Sequence, residues 1–433
     1  MATVLNRALF AAVAAALGHI AFADDASDRH QWQVEIDAGY VAADSDLGPW
    51  TEGGLGKLRY AESNDGLISA RLFAQYRGRI SPTLTATVIG DYLDDASSGV
   101  DLSEAFIDWR PIPKSSNQQQ VRFGAFYPPF SLENTDLGWS SPFTYSYSAI
   151  NTWLGEEIRP VGAEWSLRRR LGFAGSPHEL RVFASAFYGN DPAGTFLFWR
   201  GWSLHDRQTR LGDRLPMPPK PTWNYTGAIV GYSEQSVEPI EEIDNEPGAY
   251  VGAEWRYAKR VLVQLARYDN RADPTSFAGG HWGWGTAFTH FGVQASLPAQ
   301  IGLIAQWMSG TTDWIQGAGP DGTISAFAEF VRDEFDSRFL MLTRLVHGSH
   351  RVSVRYDEFE MYRDGSAPRT YSDDGHAWTL GYRYERTKQL SGGVEWLEID
   401  SHRDLWSFYS PVLDATERQL RVQVTYRFNA AGR

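Results

Sequence analysis

Residues that could do chemistry are few in this sequence, and their spacing argues mostly against catalysis. Gly317, Gly319 and Gly322 spell G-x-G-x-x-G. A dinucleotide site needs a strand before that motif and a helix after it. Here Pro320 sits inside the motif and a long loop surrounds it, so it reads as a turn. His347 and His350 bracket a tight turn. No carboxylate cluster accompanies them and no H-E-x-x-H occurs, so they do not read as a metal pair. No G-x-S-x-G elbow is present, although a Ser/His/Asp site built from separate strands is recognised by geometry and not by spacing. Cysteine is absent, which removes disulfides, thiolate metal sites and a cysteine nucleophile. No catalytic, cofactor-binding or metal residue is therefore expected. What remains is electrostatic. The stretch Tyr127 to Glu157 carries Glu133, Asp136, Glu156 and Glu157 and no Lys or Arg. Arginines recur at Arg71, Arg77, Arg110, Arg122, Arg338, Arg355, Arg383 and Arg421. An acidic patch facing a ring of arginines would set a field across a narrow gap and sort solutes by charge.

Strands must position these groups. In Gln419 to Phe428, Leu420, Val422, Val424, Tyr426 and Phe428 alternate with Arg421, Gln423, Thr425 and Arg427. A strand turns successive side chains to opposite faces, so one face is apolar and the other suits water. The same alternation marks Gln31 to Tyr40 and Ile68 to Arg79, where Phe73 interrupts the polar face. Short turns at Ser81-Pro82, 111–118, 168–177, Ala258-Lys259, Pro298-Ala299, 347–349 and Thr387-Lys388 each sit between alternating segments. Seven hairpins plus the first and last strands give about sixteen strands. Three long connections lie at 127–157, 190–247 and 310–334. Candidate hairpins at 194–204 and 224–232 make eighteen the second choice.

The N-terminus gives a compartment. Arg7, an alanine-rich apolar run and Ala21-Phe22-Ala23 form a secretory signal peptide over residues 1–23. Residues 24–433 are expected to form one domain. No later apolar run is long enough for a transmembrane helix. With 17 Trp, 20 Tyr and 23 Phe, apolar faces end repeatedly in aromatics, as at a membrane interface. The net charge of -13 argues against nucleic acid as a partner. Together these features fit an all-β transmembrane antiparallel barrel of the outer membrane of a Gram-negative bacterium. Short turns would be periplasmic and long loops extracellular. A soluble sandwich or propeller is the alternative, but no repeat of propeller length is found.

The loop at 127–157 is too apolar for an exposed tip. Phe130, Leu132, Leu137, Trp139, Phe143, Ile150, Trp153 and Leu154 call for burial. Loops of this length in compact folds are usually functional. Folded into the lumen, it would bury its apolar side and bring its carboxylates to the wall arginines. Arg122 to Asn134, RFGAFYPPFSLEN, ends a strand and opens this loop, and it resembles porins of the phosphate-selective O/P superfamily. The resemblance implies a passive channel for small polar or anionic solutes, often a homotrimer, with no cofactor. Such a barrel would also meet lipids, lipopolysaccharide and the barrel-assembly machinery. Two departures stand out. Phosphate-specific members rely on lysines, and here Lys57, Lys114, Lys220, Lys259 and Lys388 fall in turns or external loops. Phe428 is also followed by five more residues. A barrel enzyme such as a lipid hydrolase, and a plugged structural or adhesive barrel, are the other functions considered.

Overall fold

The final strand shows how alternation becomes architecture. In the computed structural model Leu420, Val422, Val424, Tyr426 and Phe428 are 47–52% exposed, while Arg421, Gln423 and Thr425 are buried. The exposed side of the sheet is the apolar one, the pattern of a transmembrane barrel. The structure describes residues 29–93, 99–172, 175–218, 236–318, 324–363, 372–404 and 414–431. The expected signal peptide, Lys220, the candidate hairpin at 224–232 and two of the three motif glycines, Gly319 and Gly322, lie outside these.

Sixteen antiparallel strands close into a barrel. In order they are β1 (His30–Asp44), β2 (Gly66–Ser81), β3 (Leu84–Tyr92), β4 (Val100–Trp109), β5 (Asn117–Ala125), β6 (Val161–Arg170), β7 (His178–Tyr188) and β8 (Gly248–Tyr257). Then follow β9 (Val261–Asp269), β10 (Gly285–Leu297), β11 (Ile301–Ala318), β12 (Ile324–Val346), β13 (His350–Arg363), β14 (Ser372–Glu385), β15 (Leu390–Arg403) and β16 (Asp414–Ala431). Closure comes from β1 against β16, with Val34 opposite Phe428 and Gln31 opposite Ala431. The residues after Phe428 therefore continue the last strand as far as Ala431. Short turns such as 257–261, 297–301 and 346–350 lie at the rim that carries the start of β1 and the end of β16. Closed sheets have no free edge to protect.

Four readings need correction. The stretch 310–334 is not a long loop. It is mostly the paired far ends of β11 and β12, with Gly310 opposite Phe335 and Gln316 opposite Glu329. The candidate hairpin at 194–204 holds instead a short helix, Thr195–Arg200, followed by buried coil. Lys57 does lie in a long connection, the one after β1, but that connection turns inward and leaves it fully buried. Arg338 does not face the lumen. Along β12 the buried positions are odd-numbered (Asp333, Phe335, Ser337, Phe339, Met341, Thr343), so Arg338 points outward, paired with Glu358 on β13. The run Phe339, Leu340, Met341, Leu342 is apolar on both faces, and so it hides which face is which.

Candidate functional site in the lumen

Two long loops from the far rim enter the barrel, and part of a third accompanies them. The first, 126–160, carries helix α1 (Ala149–Glu157). Ser148 caps it by accepting from Asn151 N. The wall carboxylate of Asp357 accepts from Ala149 N at 3.1 Å. A negative charge at a helix N-terminus is favourable. The apolar residues of the loop find a matching sector of the wall. Phe130 packs edge-on to Tyr250 (5.4 Å between centroids) and Phe288 (5.7 Å), and Trp153 packs on Phe288 and Phe335. Phe73, the residue that broke the polar face of β2, is fully buried. It lies so close to Gly138 that a Cβ there would sit 2.4 Å from its ring, and Gly138 has φ 62°. Glycine alone meets both demands.

The four loop carboxylates have different partners. Glu133 pairs with Arg355 at 2.6 Å and accepts from Ser148 N and Asn151. Arg355 also pairs with Asp357 and donates to the carbonyls of Ser146 and Tyr147. Asp136 pairs with Arg427, a wall arginine near the short-turn rim. Glu156 meets no wall arginine; its partners are Arg200 and His205 of the second inserted loop. Burial raises the Glu156 pKa, but Arg200 and then His205 outweigh it and leave it at about 2. Glu157 pairs with no arginine among the described residues. It caps the second helix, accepting from Gly194 N, Phe196 N and Leu197 N at 3.0–3.3 Å, and burial pushes it up to about 7.

That second loop, 189–247, was not expected inside. Its helix α2 (Thr195–Arg200) and the stretch to Arg210 are almost wholly buried. Asp206 is its anchor. One carboxylate meets Arg59 at 2.9 Å, Arg71 at 3.2 Å and Arg421 at 2.9 Å. Burial opposes its ionisation, but Arg421, Arg59 and Arg71 hold it well below the usual carboxylate range. Arg207 and Arg210 pair with Asp213. Lys57, from the connection after β1, meets Asp373 at 2.8 Å and the Trp202 carbonyl. Burial, with Arg403 beside it, lowers Lys57 to about 7. A dense run of both charge signs, HDRQTRLGDR over 205–214, was the sequence signal for this loop.

Most remaining wall arginines neutralise wall carboxylates. Arg122 bonds Glu164, Arg181 bonds Glu164 and Glu254, and Arg256 bonds Glu254, a ladder across β5 to β8. Arg383 donates to the Ser141 carbonyl of the first loop. Arg110 pairs with Asp108 and is 60% exposed at the short-turn rim. Arg77 is exposed near that rim. Ser203, His205 and Glu156 form a serine–histidine–carboxylate group, but Ser203 and Glu156 both approach the same ring nitrogen, Nε2. A relay needs them on opposite nitrogens.

The fold is that of an outer-membrane porin-type barrel. Residues 52–176 match the family described as phosphate-selective porin O and P, a span that contains the Arg122–Asn134 stretch. No curated protein matches the chain in sequence. Among solved structures, the chain is similar to the outer-membrane channel DcaP of Acinetobacter baumannii (TM-score 0.51, 11% identity, covering 92% of this chain and 96% of that one). It is similar to a loop-deletion mutant of OmpT, an outer-membrane protein of Vibrio cholerae (TM-score 0.51, 9% identity, 93% and 100%). It is also similar to an anion-selective porin from Comamonas acidovorans (TM-score 0.50, 12% identity, 92% and 99%).

Proposed function

We propose that this chain is an outer-membrane porin that passes small polar or anionic solutes through a lumen narrowed by two inserted loops. The observation that carries this is the docking of both loops on the inner wall through ion pairs, Glu133 with Arg355 and Asp206 with Arg71 and Arg421. Towards the short-turn rim the wall is wet and polar, with Gln75 donating to Gln33 in solvent. The constriction is formed by Glu133 and Asp136 with Arg355 and Arg427, while Glu156 and Glu157 tie the two loops together. Because these charges are matched, ion selectivity is weak. Reversal potentials in asymmetric salt test this. The wild type should lie near the non-selective value, and Glu133→Gln with Asp136→Asn should move it towards anions, since Arg355 and Arg427 lose their partners. A strongly selective wild type, or no shift in the folded double variant, would contradict the assignment.

The complete burial of α1 favours a second reading, a plugged barrel. That reading requires no conductance from the wild type. The homotrimer, the lipid and lipopolysaccharide contacts and the assembly machinery are carried over as part of the proposal. Cross-linking in the native membrane tests the trimer.

A further inference from the structure

Several buried carboxylates in this barrel meet cations, as Glu133, Asp206 and Asp373 do. A cluster of three carboxylates, one buried and two partly exposed, does not. Asp191 stands where the second inserted loop begins, and Glu242 and Asp244 stand where it ends. One oxygen from each lies within 4.8 Å of the others. Among the described residues none of the three is paired with Lys, Arg or His. Asp191 is only 1% exposed, and its Oδ1 is buried without a donor. Oε1 of Glu242 is likewise buried without a donor.

The backbone holds the group in place. Ile243 N and Asp244 N donate to Oδ2 of Asp191, and Asp191 N donates to the Glu241 carbonyl at 3.2 Å. Gly189 N donates to Oε2 of Glu242 at 2.6 Å, and Asp273 N donates to Oδ2 of Asp244. These bonds draw three like charges together instead of letting them spread. Leaving a buried carboxylate oxygen without a donor is costly, and adjacent like charges add to that cost. A cation would remove both penalties. The ligands are all hard oxygens with no imidazole or thiolate, which selects calcium or magnesium over transition metals. Magnesium demands near-ideal octahedral geometry and sheds its waters reluctantly, whereas calcium takes several carboxylates in irregular loops.

We propose that Asp191, Glu242 and Asp244 bind one calcium ion, which ties the first residues of the second inserted loop to its last. The ion would act as a clasp at the outer rim, holding closed the base of the loop that fills the lumen. The site is independent of whether the barrel conducts.

The test is equilibrium dialysis of EDTA-stripped barrel, refolded in detergent free of lipopolysaccharide, against radioactive calcium chloride. The expected result is one ion per chain with a dissociation constant on the order of 10⁻⁴–10⁻³ M, as in other extracellular sites. Magnesium should compete weakly. Glu242→Gln and Asp244→Asn should each weaken binding tenfold or more. Both side chains are partly exposed, so these variants serve where Asp191→Asn does not fold, and heat-modifiable gel mobility identifies folded barrels. Asp400→Asn alters an acidic group on the outer surface and should leave binding unchanged. The proposal is overturned by no saturable calcium, by binding that persists in folded Glu242→Gln and Asp244→Asn, or by loss in Asp400→Asn alone.

Discussion

Asp206→Ala is the sharpest perturbation of the lumen. The Asp206 side chain is 2% exposed, and its three partners, Arg59, Arg71 and Arg421, are 4–6% exposed. Removing one member of a buried ion pair costs about 3–5 kcal/mol, because the other charge is left desolvated. Here three guanidiniums lose the same carboxylate, so the upper part of that range applies. Each 1.4 kcal/mol is a factor of ten in equilibrium. The seated second loop should therefore lose about three to three and a half powers of ten in occupancy, while the barrel hydrogen bonds are untouched. Planar-bilayer recording is the assay. Asp206→Ala should give larger and noisier single channels, and adding Arg421→Leu should recover part of the seating through non-additivity. A folded Asp206→Ala barrel with wild-type conductance and noise would refute the view that this ion-pair cluster holds the loop.

Three further outcomes are expected. Val422→Arg, on the lipid face, should cost about 2–4 kcal/mol in a folding titration, and Gln33→Arg, on the wet inner wall, much less; equal costs would invert the facing assignment. Acid should unseat the loops. Glu156 lies at about 2, below its usual 4.5, so its stabilisation is complete above that usual value and disappears as pH falls towards 2; Asp206 and Asp213 are also depressed, so they stabilise the fold in the same direction and lose that contribution only as pH falls through their own lowered values. For Glu156 this amounts to roughly 3 kcal/mol, readable as a fluorescence change at Trp202 and Trp153, and a flat response between pH 5 and 2 would count against these pairs. Cysteines placed at Lys259 or Lys388 should resist impermeant labels on intact cells, and surface labelling there would reverse the topology.

The barrel was legible because strand period and turn spacing are local properties. Gln419 to Phe428 declares its two faces in ten residues, and Ala258-Lys259 or Pro298-Ala299 declare turns in two. The lumen was less legible because its contents obey tertiary rules. Phe73, Tyr250, Tyr268, Phe288 and Phe335 face inward, where a water-filled barrel would carry polar groups; the last four make an apolar sector that receives Phe130 and Trp153, and Phe73 meets the loop at Gly138. Their position on the nominally polar face was the available signal, and it reads as noise when each strand is taken alone. Loop 127–157 announced its burial through its apolar content. Which carboxylate meets which cation depends on the second loop. Glu157 as a helix cap and Glu156 as a partner of Arg200 cannot be inferred without knowing that α2 lies beside α1. Arg338 failed for a simpler reason: an apolar run on both faces erases the parity from which facing is read.

The central claim is that inserted loops set the width of a continuous pore. Single-channel conductance of the wild type, against a barrel in which residues 131–155 are replaced by a short Gly-Ser linker, tests it most directly. The account predicts small wild-type channels and a severalfold increase on replacement. Unchanged conductance in a folded deletion barrel would contradict it, because the constriction would then lie elsewhere.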